Sequence, residues 1–176
     1  MTELRVARKF VEEVPEGDDR LRSVCARCGF VDYENPKIVV GSVASLEGRI
    51  LLCRRAIEPR RGFWTLPAGY LEVNESVEDG ARREAWEEAR ARLAIERVLA
   101  IYSVPRISQV QIMFRATLED PAIGPGPESI EVDMFDWADI PWPEIAFPTV
   151  GWALRQWRES CGRDDFPPFS NPTDGV

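Results

Sequence analysis

The sequence has 176 residues, a formal net charge of -8 at pH 7 and no histidine. This length accommodates one domain with small appendages but not two full-sized domains. The missing histidine excludes histidine-based triads, general bases and metal ligands within the chain. The acidic balance disfavours a nucleic-acid partner, and no apolar run is long enough to span a membrane. Because the charged start lacks the apolar centre of a secretory signal, we expect a cytoplasmic protein.

The first recognisable motif is a cysteine pair. Residues 1–20 show no strong period and predict an irregular or short-strand lead-in. Cys25, Cys28 and the glycine that follows form a C-x-x-C-G knuckle, typical of half of a tetrahedral zinc site. Three interpretations stay open: a vestigial knuckle, a site completed by carboxylates or by a second chain, and a redox dithiol. We favour the first two because no helix is signalled after the pair.

The rest of the chain alternates strand and helix patterns. Residues 37–55 predict a β-hairpin with its turn at Glu47 and Gly48, rich in β-branched and aliphatic residues. A short strand then stops at Pro67, which delivers the chain to a turn at Gly69. Further strands are predicted at 98–106, 108–118 and 129–137, separated by a loop of proline and glycine. A last helix starts at Pro148, with Val150, Leu154 and Trp157 on one face.

The most specific chemistry lies in residues 69–91, where an acidic helix follows Gly69. Ser76 and Asp79 form a capping box that starts this helix, and Val77, Ala81 and Ala85 form its packed face. Glu84, Glu87 and Glu88 are related as i, i+3 and i+4, so their carboxylates gather on one face. Solvent, an arginine or a divalent cation must compensate these charges, and hard oxygen donors suit Mg²⁺ or Mn²⁺. A salt-bridged, solvated surface is the alternative interpretation.

The spacing of this stretch resembles the Nudix box, G-x5-E-x7-R-E-U-x-E-E-x-G-U, where U is apolar. The matching residues are Gly69, Glu75, Arg83, Glu84, Glu87 and Glu88. The resemblance implies an α/β fold, the Nudix α/β/α sandwich with a mixed sheet, over residues 36–161. It also implies hydrolysis of a nucleoside diphosphate linked to another moiety. Arg90 stands where the family has glycine, so either it adopts a left-handed conformation at a cost of about 1 kcal/mol or the helix continues.

Other segments resemble Nudix enzymes that carry an N-terminal zinc ribbon and act on ADP-ribose and FAD. These are PEGDDRLRSVCARCG, YENPKIVVG, GFWTLPAGYLE and GPESIE. Residues 1–24 lack the first cysteine pair of that ribbon, so residues 1–35 form a short degenerate zinc-ribbon-like extension. The SQ-P-W-P-F-P-x-S signature of NADH pyrophosphatases is also missing, which lowers the NADH interpretation. Residues 162–176 are expected to be a disordered tail.

The resemblance implies roles for individual residues. Glu84, Glu87 and Glu88 would hold Mg²⁺ or Mn²⁺, with help from a backbone carbonyl at Ala68 or Gly69. Arg83 would orient the glutamates by pairing with Glu75. Glu84 is alternatively the general base. A further carboxylate, Glu128 or Glu131, would bind metal or position water.

Substrate contacts outside the box are less specific. The candidates for phosphate contacts are Arg54, Arg55 and Arg106, with solvated surface charge as the alternative. The candidates for an aromatic platform are Trp64, Tyr70, Tyr102, Phe114 and Phe147, although strand aromatics usually belong to the core. We expect a small-molecule nucleotide as partner, no nucleic acid, no membrane, and a homodimer. The alternatives are NADH, dinucleoside polyphosphates, a capped RNA end, a non-catalytic Nudix-fold regulator and a zinc-ribbon adaptor.

Overall fold

The structure, a computed structural model, describes residues 9–173, and the chain divides into two compact units, 1–36 and 37–176. In the first unit, three short antiparallel strands pair in the order β1-β2-β3. They are β1 (Phe10–Glu13), β2 (Arg22–Cys25) and β3 (Val31–Asp32). The first eight residues of the predicted lead-in lie outside the described residues. The division falls one residue after the boundary predicted from the sequence.

The second unit is built on a mixed sheet of seven strands flanked by two helices. Its path runs β10-β5-β4-β9-β8, with β6 paired to β5 and β7 paired to β4. Only the β4–β9 pair is parallel among the described strand pairs of this sheet. The elements are β4 (Lys37–Leu46), β5 (Arg49–Arg55), β6 (Trp64–Thr65), β7 (Ala68–Tyr70), α1 (Val77–Ala89), β8 (Leu93–Val104), β9 (Gln109–Leu118), β10 (Ser129–Phe135) and α2 (Pro148–Ser160).

The two helices cover opposite faces of the sheet because successive strand residues point to opposite sides. On β5, Ile50 and Leu52 join the core cluster that contains Leu154 and Trp157 of α2. Leu51 alternates with them and joins the cluster that contains the alanines of α1. This arrangement confirms the α/β/α sandwich with a mixed sheet, the predicted hairpin and the predicted last helix.

Strand β4 changes partner along its length, and this change makes room for the site. Next to the Glu47–Gly48 turn it pairs with β5 for only two residue pairs. Further along, β7 takes the place of β5 and pairs with Val39, Val40 and Gly41. A Cβ at Gly41 would lie 2.4 Å from the Cβ of Ala68, so glycine permits this close approach. The strand that precedes α1 is therefore inserted between two strands that diverge.

Helix α1 begins and ends at residues the sequence indicated. Ser76 is the N-cap, and its hydroxyl accepts a hydrogen bond from the Asp79 N–H. At the other end, Arg90 has φ 53° and ψ 22°, a left-handed conformation, and its N–H donates to the Trp86 carbonyl at 3.0 Å. Of the two alternatives predicted for Arg90, the structure shows the first. Arginine adopts the left-handed conformation that usually favours glycine, and the helix stops at Ala89.

The expectation of a disordered tail is wrong for the described residues up to 173. Phe166 is buried in the core cluster next to α2. Phe169 extends the sheet at the outer edge of β8, where its N–H donates to Leu99 and its carbonyl accepts from Ile101. Asn171 then exchanges two hydrogen bonds with the backbone of Ser103. Proline and polar residues suggested disorder, but two aromatic side chains and backbone pairing hold the segment.

No helix in residues 9–173 is long and apolar enough to cross a membrane.

Replacing Phe166 with alanine should lower the free energy of unfolding by about 3 kcal/mol, because a buried ring is lost and a cavity remains. The matched control is Asp165→Ala, whose side chain is fully exposed and whose ion pair with Arg97 spans 3.4 Å. That control should cost about 0.5 kcal/mol or less. Urea denaturation measures both variants, and equal losses would contradict the packing of this segment.

Candidate active site

Glu84 and Glu88 are buried where α1 faces β7. The residues are only 8% and 6% exposed, unusually low values for carboxylates. Adjacent turns of α1 place both side chains on the face towards the sheet, and the buried alanines of the same helix allow its close approach. The Ala68 N–H donates to a Glu88 carboxylate oxygen at 3.2 Å. The helix thus presents two carboxylates to the backbone of β7.

Gly69 is needed for space and not for a turn. The sequence predicted a turn at this residue, but Gly69 lies in the middle of β7 and is absent from the positive-φ residues. A Cβ there would lie 2.4 Å from the Glu84 carboxylate. Gly80 plays a similar part on the helix, because a Cβ there would lie 2.9 Å from Glu75 and from Val40. Because neither glycine has a side chain, the helix, the loop and the strand can pack in direct contact.

Arg83 connects the carboxylates of the loop and the helix. Its Nη2 and Nε donate to Glu75 at 2.8 and 3.0 Å. Its Nη1 donates to Glu84 at 2.8 Å and to Glu87 at 3.0 Å. The hydrogen bonds that Glu75 accepts from Arg83 and from the Glu72 N–H lower the pKa of Glu75 to about 2. The pairing of Arg83 with Glu75, which the resemblance implied, is present in the structure.

The buried carboxylates lack sufficient positive charge. Burial, together with the neighbouring charges of Glu84 and Glu128, raises the pKa of Glu88 to about 8, although the Ala68 N–H and Arg55 oppose the shift. Burial also raises the pKa of Glu84, although Arg83 opposes the shift. In water both groups would be ionised at neutral pH. The site therefore favours a ligand that brings positive charge.

These carboxylates differ in how they are placed for a cation. Within residues 9–173, no three acidic or cysteine side chains are gathered as a group that could hold a metal ion. Arg83 forms ion pairs with Glu84 and Glu87. The donor set nevertheless fits a divalent cation, since it consists of hard carboxylate oxygens that are partly dehydrated and short of positive charge. Glu87 is the most exposed of the three helix glutamates, with half of its side chain in solvent.

The structure separates the two further carboxylates that the sequence left as alternatives. The charge of Glu128 acts on both Glu84 and Glu88 and raises the pKa of each. Glu131 lies opposite Arg54 in the β10–β5 pair, and its carboxylate bonds to that guanidinium at 3.3 Å. The charge of Glu128 therefore acts on the buried glutamates, whereas Glu131 forms an exposed ion pair with Arg54.

The two arginines at the end of β5 have different surroundings. Arg54 is bound to Glu131 and to the Gly62 carbonyl, so its charge is compensated locally. Arg55 donates to the Pro59 carbonyl at 2.9 Å and lies over the ring of Phe147, with its charge acting on Glu88. Of the two arginines, Arg55 is therefore the one whose charge acts on a buried glutamate.

The remaining candidates for substrate contacts are distributed between core and surface. Trp64 is buried and packs edge-on against Phe135, so the expectation that it stacks on a substrate is not supported. Tyr102 and Phe114 are also core residues. Tyr70 is 51% exposed, directly after Gly69, with the Lys37 ammonium over its ring. Arg106 is exposed in the β8–β9 turn, with no charge interaction to the helix glutamates among the described residues.

The cysteine knuckle forms a tight turn in the first unit. Cys25 ends β2 and is buried, whereas Cys28 is exposed. The Gly29 N–H donates to the Cys25 carbonyl, and the Cys25 N–H donates to the Phe30 carbonyl. In residues 9–36 no third or fourth cysteine or acidic group joins the pair to complete a metal-binding group.

Sequence reasoning missed the residues whose role is to provide space. Gly41 and Gly80 permit contact between elements, and Gly126 packs against the backbone of α1. The only signal was their residue type, since the loop at 121–129 was interpreted from its proline and glycine content alone. A close approach involves two segments that are distant in sequence. A local sequence pattern describes only one of them and therefore cannot predict it.

Comparison with known proteins agrees with this geometry. The NUDIX domain family matches residues 35–154, and the zinc-ribbon family described as Nudix N-terminal matches residues 7–34. Because the first match covers most of the chain, the protein belongs to the Nudix hydrolase family. Members of this family generally use divalent metal ions.

Two curated relatives carry names that describe an activity. The ADP-ribose pyrophosphatase of Methanocaldococcus jannaschii is 29% identical over 119 residues, covering 65% of this chain and 69% of that protein. The NAD-capped RNA hydrolase NudC of Chromobacterium violaceum is 29% identical over 147 residues, covering 82% of this chain but only 54% of that protein. The chain thus spans about half of the second relative.

A solved structure resembles nearly the whole chain. The NUDIX hydrolase from Nitrosomonas europaea superimposes with a TM-score of 0.88 and 43% identity, covering 94% of this chain and 96% of that one. A match over 94% of the chain extends into the first unit as well as the second.

Replacing Gly69 with alanine should displace the Glu84 carboxylate, because the added methyl occupies its position. We expect hydrolysis to fall by about a hundredfold or more, as for the loss of a group that stabilises the transition state. Far-ultraviolet circular dichroism should stay unchanged. The control is Gly124→Ala, whose added Cβ meets nothing within 4 Å. Equal activity in the two variants would show that the contact between Gly69 and Glu84 is unimportant.

Proposed function

We propose that the protein hydrolyses the diphosphate bond of a nucleoside diphosphate linked to another moiety and releases AMP, with ADP-ribose or FAD as the preferred substrate. The observation that carries the proposal is the pair of buried carboxylates, Glu84 and Glu88, with a raised pKa for each and with Glu128 and Arg55 beside them. A substrate diphosphate carries negative charge, so this site accepts it only together with cations.

Glu84, Glu87, Glu88 and Glu128 would hold Mg²⁺ or Mn²⁺, with a backbone carbonyl at Ala68 or Gly69 as a further ligand. When bound, such an ion neutralises diphosphate oxygens and lowers the pKa of a bound water. Arg83 keeps the helix carboxylates oriented through its bonds to Glu75 and Glu84. Glu84 is the alternative general base, which would accept the proton of the attacking water, and Glu128 would bind metal or position that water.

Two residues outside the box would contact the substrate. Arg55 is held by the Pro59 carbonyl and by Phe147, so its guanidinium is ordered before a phosphate arrives. Tyr70 offers an exposed ring next to Gly69 for a base or flavin to stack on. ADP-ribose is supported further by the similarity to the ADP-ribose pyrophosphatase of Methanocaldococcus jannaschii.

An activity on NADH or on a capped RNA end is the second candidate, because the relative named as an NAD-capped RNA hydrolase covers 82% of this chain. Residues 108–111 read SQVQ where the NADH signature would continue with proline and tryptophan. A panel of ADP-ribose, FAD, NADH and diadenosine polyphosphate with Mg²⁺ or Mn²⁺ separates the candidates. Chromatography should show AMP from ADP-ribose or FAD, and no AMP from any substrate would refute the reaction class.

Glu84→Gln and Glu88→Gln should each reduce turnover by about a hundredfold or more, because each removes a negative ligand while keeping the side-chain shape. Glu131→Gln is the matched control, since its carboxylate is bound to Arg54 away from the site. Initial rates of AMP release at saturating substrate measure the effect. Near-normal turnover in the two site variants would refute the assignment of these glutamates.

Divalent ions should also stabilise the folded protein. At a Mn²⁺ concentration about one hundred times the dissociation constant, the free energy of unfolding should rise by about 2.7 kcal/mol if the ion binds only the folded state. Thermal melts with and without a chelator report this rise, which should be lost in Glu84→Gln. An equal rise in that variant would place the ion elsewhere.

The zinc content and the oligomeric state remain predictions with direct measurements. Metal analysis of the purified chain distinguishes the interpretations of Cys25 and Cys28. No zinc indicates a vestigial knuckle, one zinc per two chains indicates a site shared in a homodimer, and one per chain indicates a site completed within the chain. Sedimentation equilibrium tests the expected homodimer independently.

A further inference from the structure

The loop before β10 packs its backbone against the end of helix α1. The Gly124 N–H donates to the Ala89 carbonyl at 2.9 Å, and the Gly126 N–H donates to the Glu88 carbonyl at 3.0 Å. The last carbonyls of a helix have no partner within the helix, so these bonds complete them. One of the two bonds therefore falls on a residue that carries a site carboxylate.

Gly126 touches the helix more closely than any side chain would allow. A Cβ at this position would lie 1.6 Å from the Glu87 carbonyl oxygen and 3.3 Å from the Glu88 Cα. Gly124, two residues earlier, has open space around the same position. Only Gly126 requires glycine for contact, and the contact is with the backbone of Glu87 and Glu88.

The chain after Gly126 is fixed on a second side. The Ser129 N–H donates to the Gly126 carbonyl at 3.1 Å, which closes a turn around Glu128. The Glu128 carbonyl accepts a hydrogen bond from the Ala56 N–H at 2.8 Å, at the end of β5. Ser129 is buried and pairs with Arg55 as the first residue of β10. The backbone of Glu128 is thus held between α1 and β5.

We propose that Gly126 is a positioning residue: its contact with the backbone of Glu87 and Glu88 fixes the backbone of Glu128, so that the Glu128 carboxylate joins the helix glutamates as a further, pre-positioned ligand of the divalent cation. This inference rests on the proposed function. A carboxylate on a fixed backbone binds an ion without the entropy cost of ordering a loop. The bonds on both sides of Glu128 remove that cost during folding, and its side chain stays exposed and free to bind an ion.

The test measures Mn²⁺ affinity by electron paramagnetic resonance of the free ion, which needs no turnover. Gly126→Ala and Glu128→Gln should each weaken Mn²⁺ binding by about tenfold. The double variant should bind no more weakly than either single variant, because both changes remove the same contribution. Gly124→Ala and Glu131→Gln are the matched controls and should bind as the unaltered protein does.

Glu128→Asp tests the fixed backbone without adding any atom. A locked backbone cannot follow a side chain shorter by one methylene, so the aspartate variant should bind Mn²⁺ as weakly as Glu128→Gln. A mobile loop would compensate and restore the affinity, which would overturn the proposal. This variant decides the question even where Gly126→Ala does not fold.

Other results would also overturn the positioning role. Unchanged Mn²⁺ affinity in Gly126→Ala would do so, as would losses that multiply in the double variant. The substrate panel is a separate measurement. If no substrate is hydrolysed but the pattern of Mn²⁺ affinities holds, the reaction is wrong and the positioning stands. If AMP is released but Glu128→Gln binds Mn²⁺ normally, the positioning is wrong and the reaction stands.

Discussion

The burial of two carboxylates between α1 and β7 is the constraint on which the second unit depends. Ionised Glu84 and Glu88 lose hydration there, and burial alone raises the pKa of both. The cost of desolvation is large unless hydrogen bonds or opposite charges offset it. Arg83, the Ala68 N–H and Arg55 supply part of this compensation. The negative charge that remains uncompensated favours a ligand that brings positive charge.

Close approach between backbones follows from the same constraint. The carboxylates reach β7 only because Gly69 has no side chain and because the helix packs on the sheet through small residues, Gly80, Ala81 and Ala85. The exchange of partners along β4, from β5 to β7, positions Gly69 beneath the helix. Gly126 makes a second close contact with the helix, against the backbone of Glu87 and Glu88. Rigid packing of this kind keeps the carboxylates in place before any ligand binds.

The sequence predicted the parts of the site that lie within one helix and misjudged several that depend on distant segments. Helical spacing was sufficient to group Glu84, Glu87 and Glu88 and to start the helix at Ser76. No sequence pattern distinguishes Glu128 from Glu131, because the difference is the ion pair that Glu131 forms with Arg54 on the neighbouring strand. The sequence made Trp64 a candidate for stacking on a substrate, but its ring is buried against Phe135. The final segment looked disordered because its pairing partner, β8, lies about seventy residues earlier.

By itself, the sequence determined the class of fold, the glutamate-rich helix and the resemblance to a family of hydrolases, since hydrophobic alternation, helix caps and the offsets from Gly69 to Glu88 are local patterns. The tertiary structure alone decided how those residues act. It buried Glu84 and Glu88, gave Gly69 a role in contact instead of in a turn, and chose Glu128 and Arg55 as their neighbours. The physical reason is that desolvation and charge compensation depend on what surrounds a carboxylate in space. Those surroundings come from strands and loops brought together only by folding.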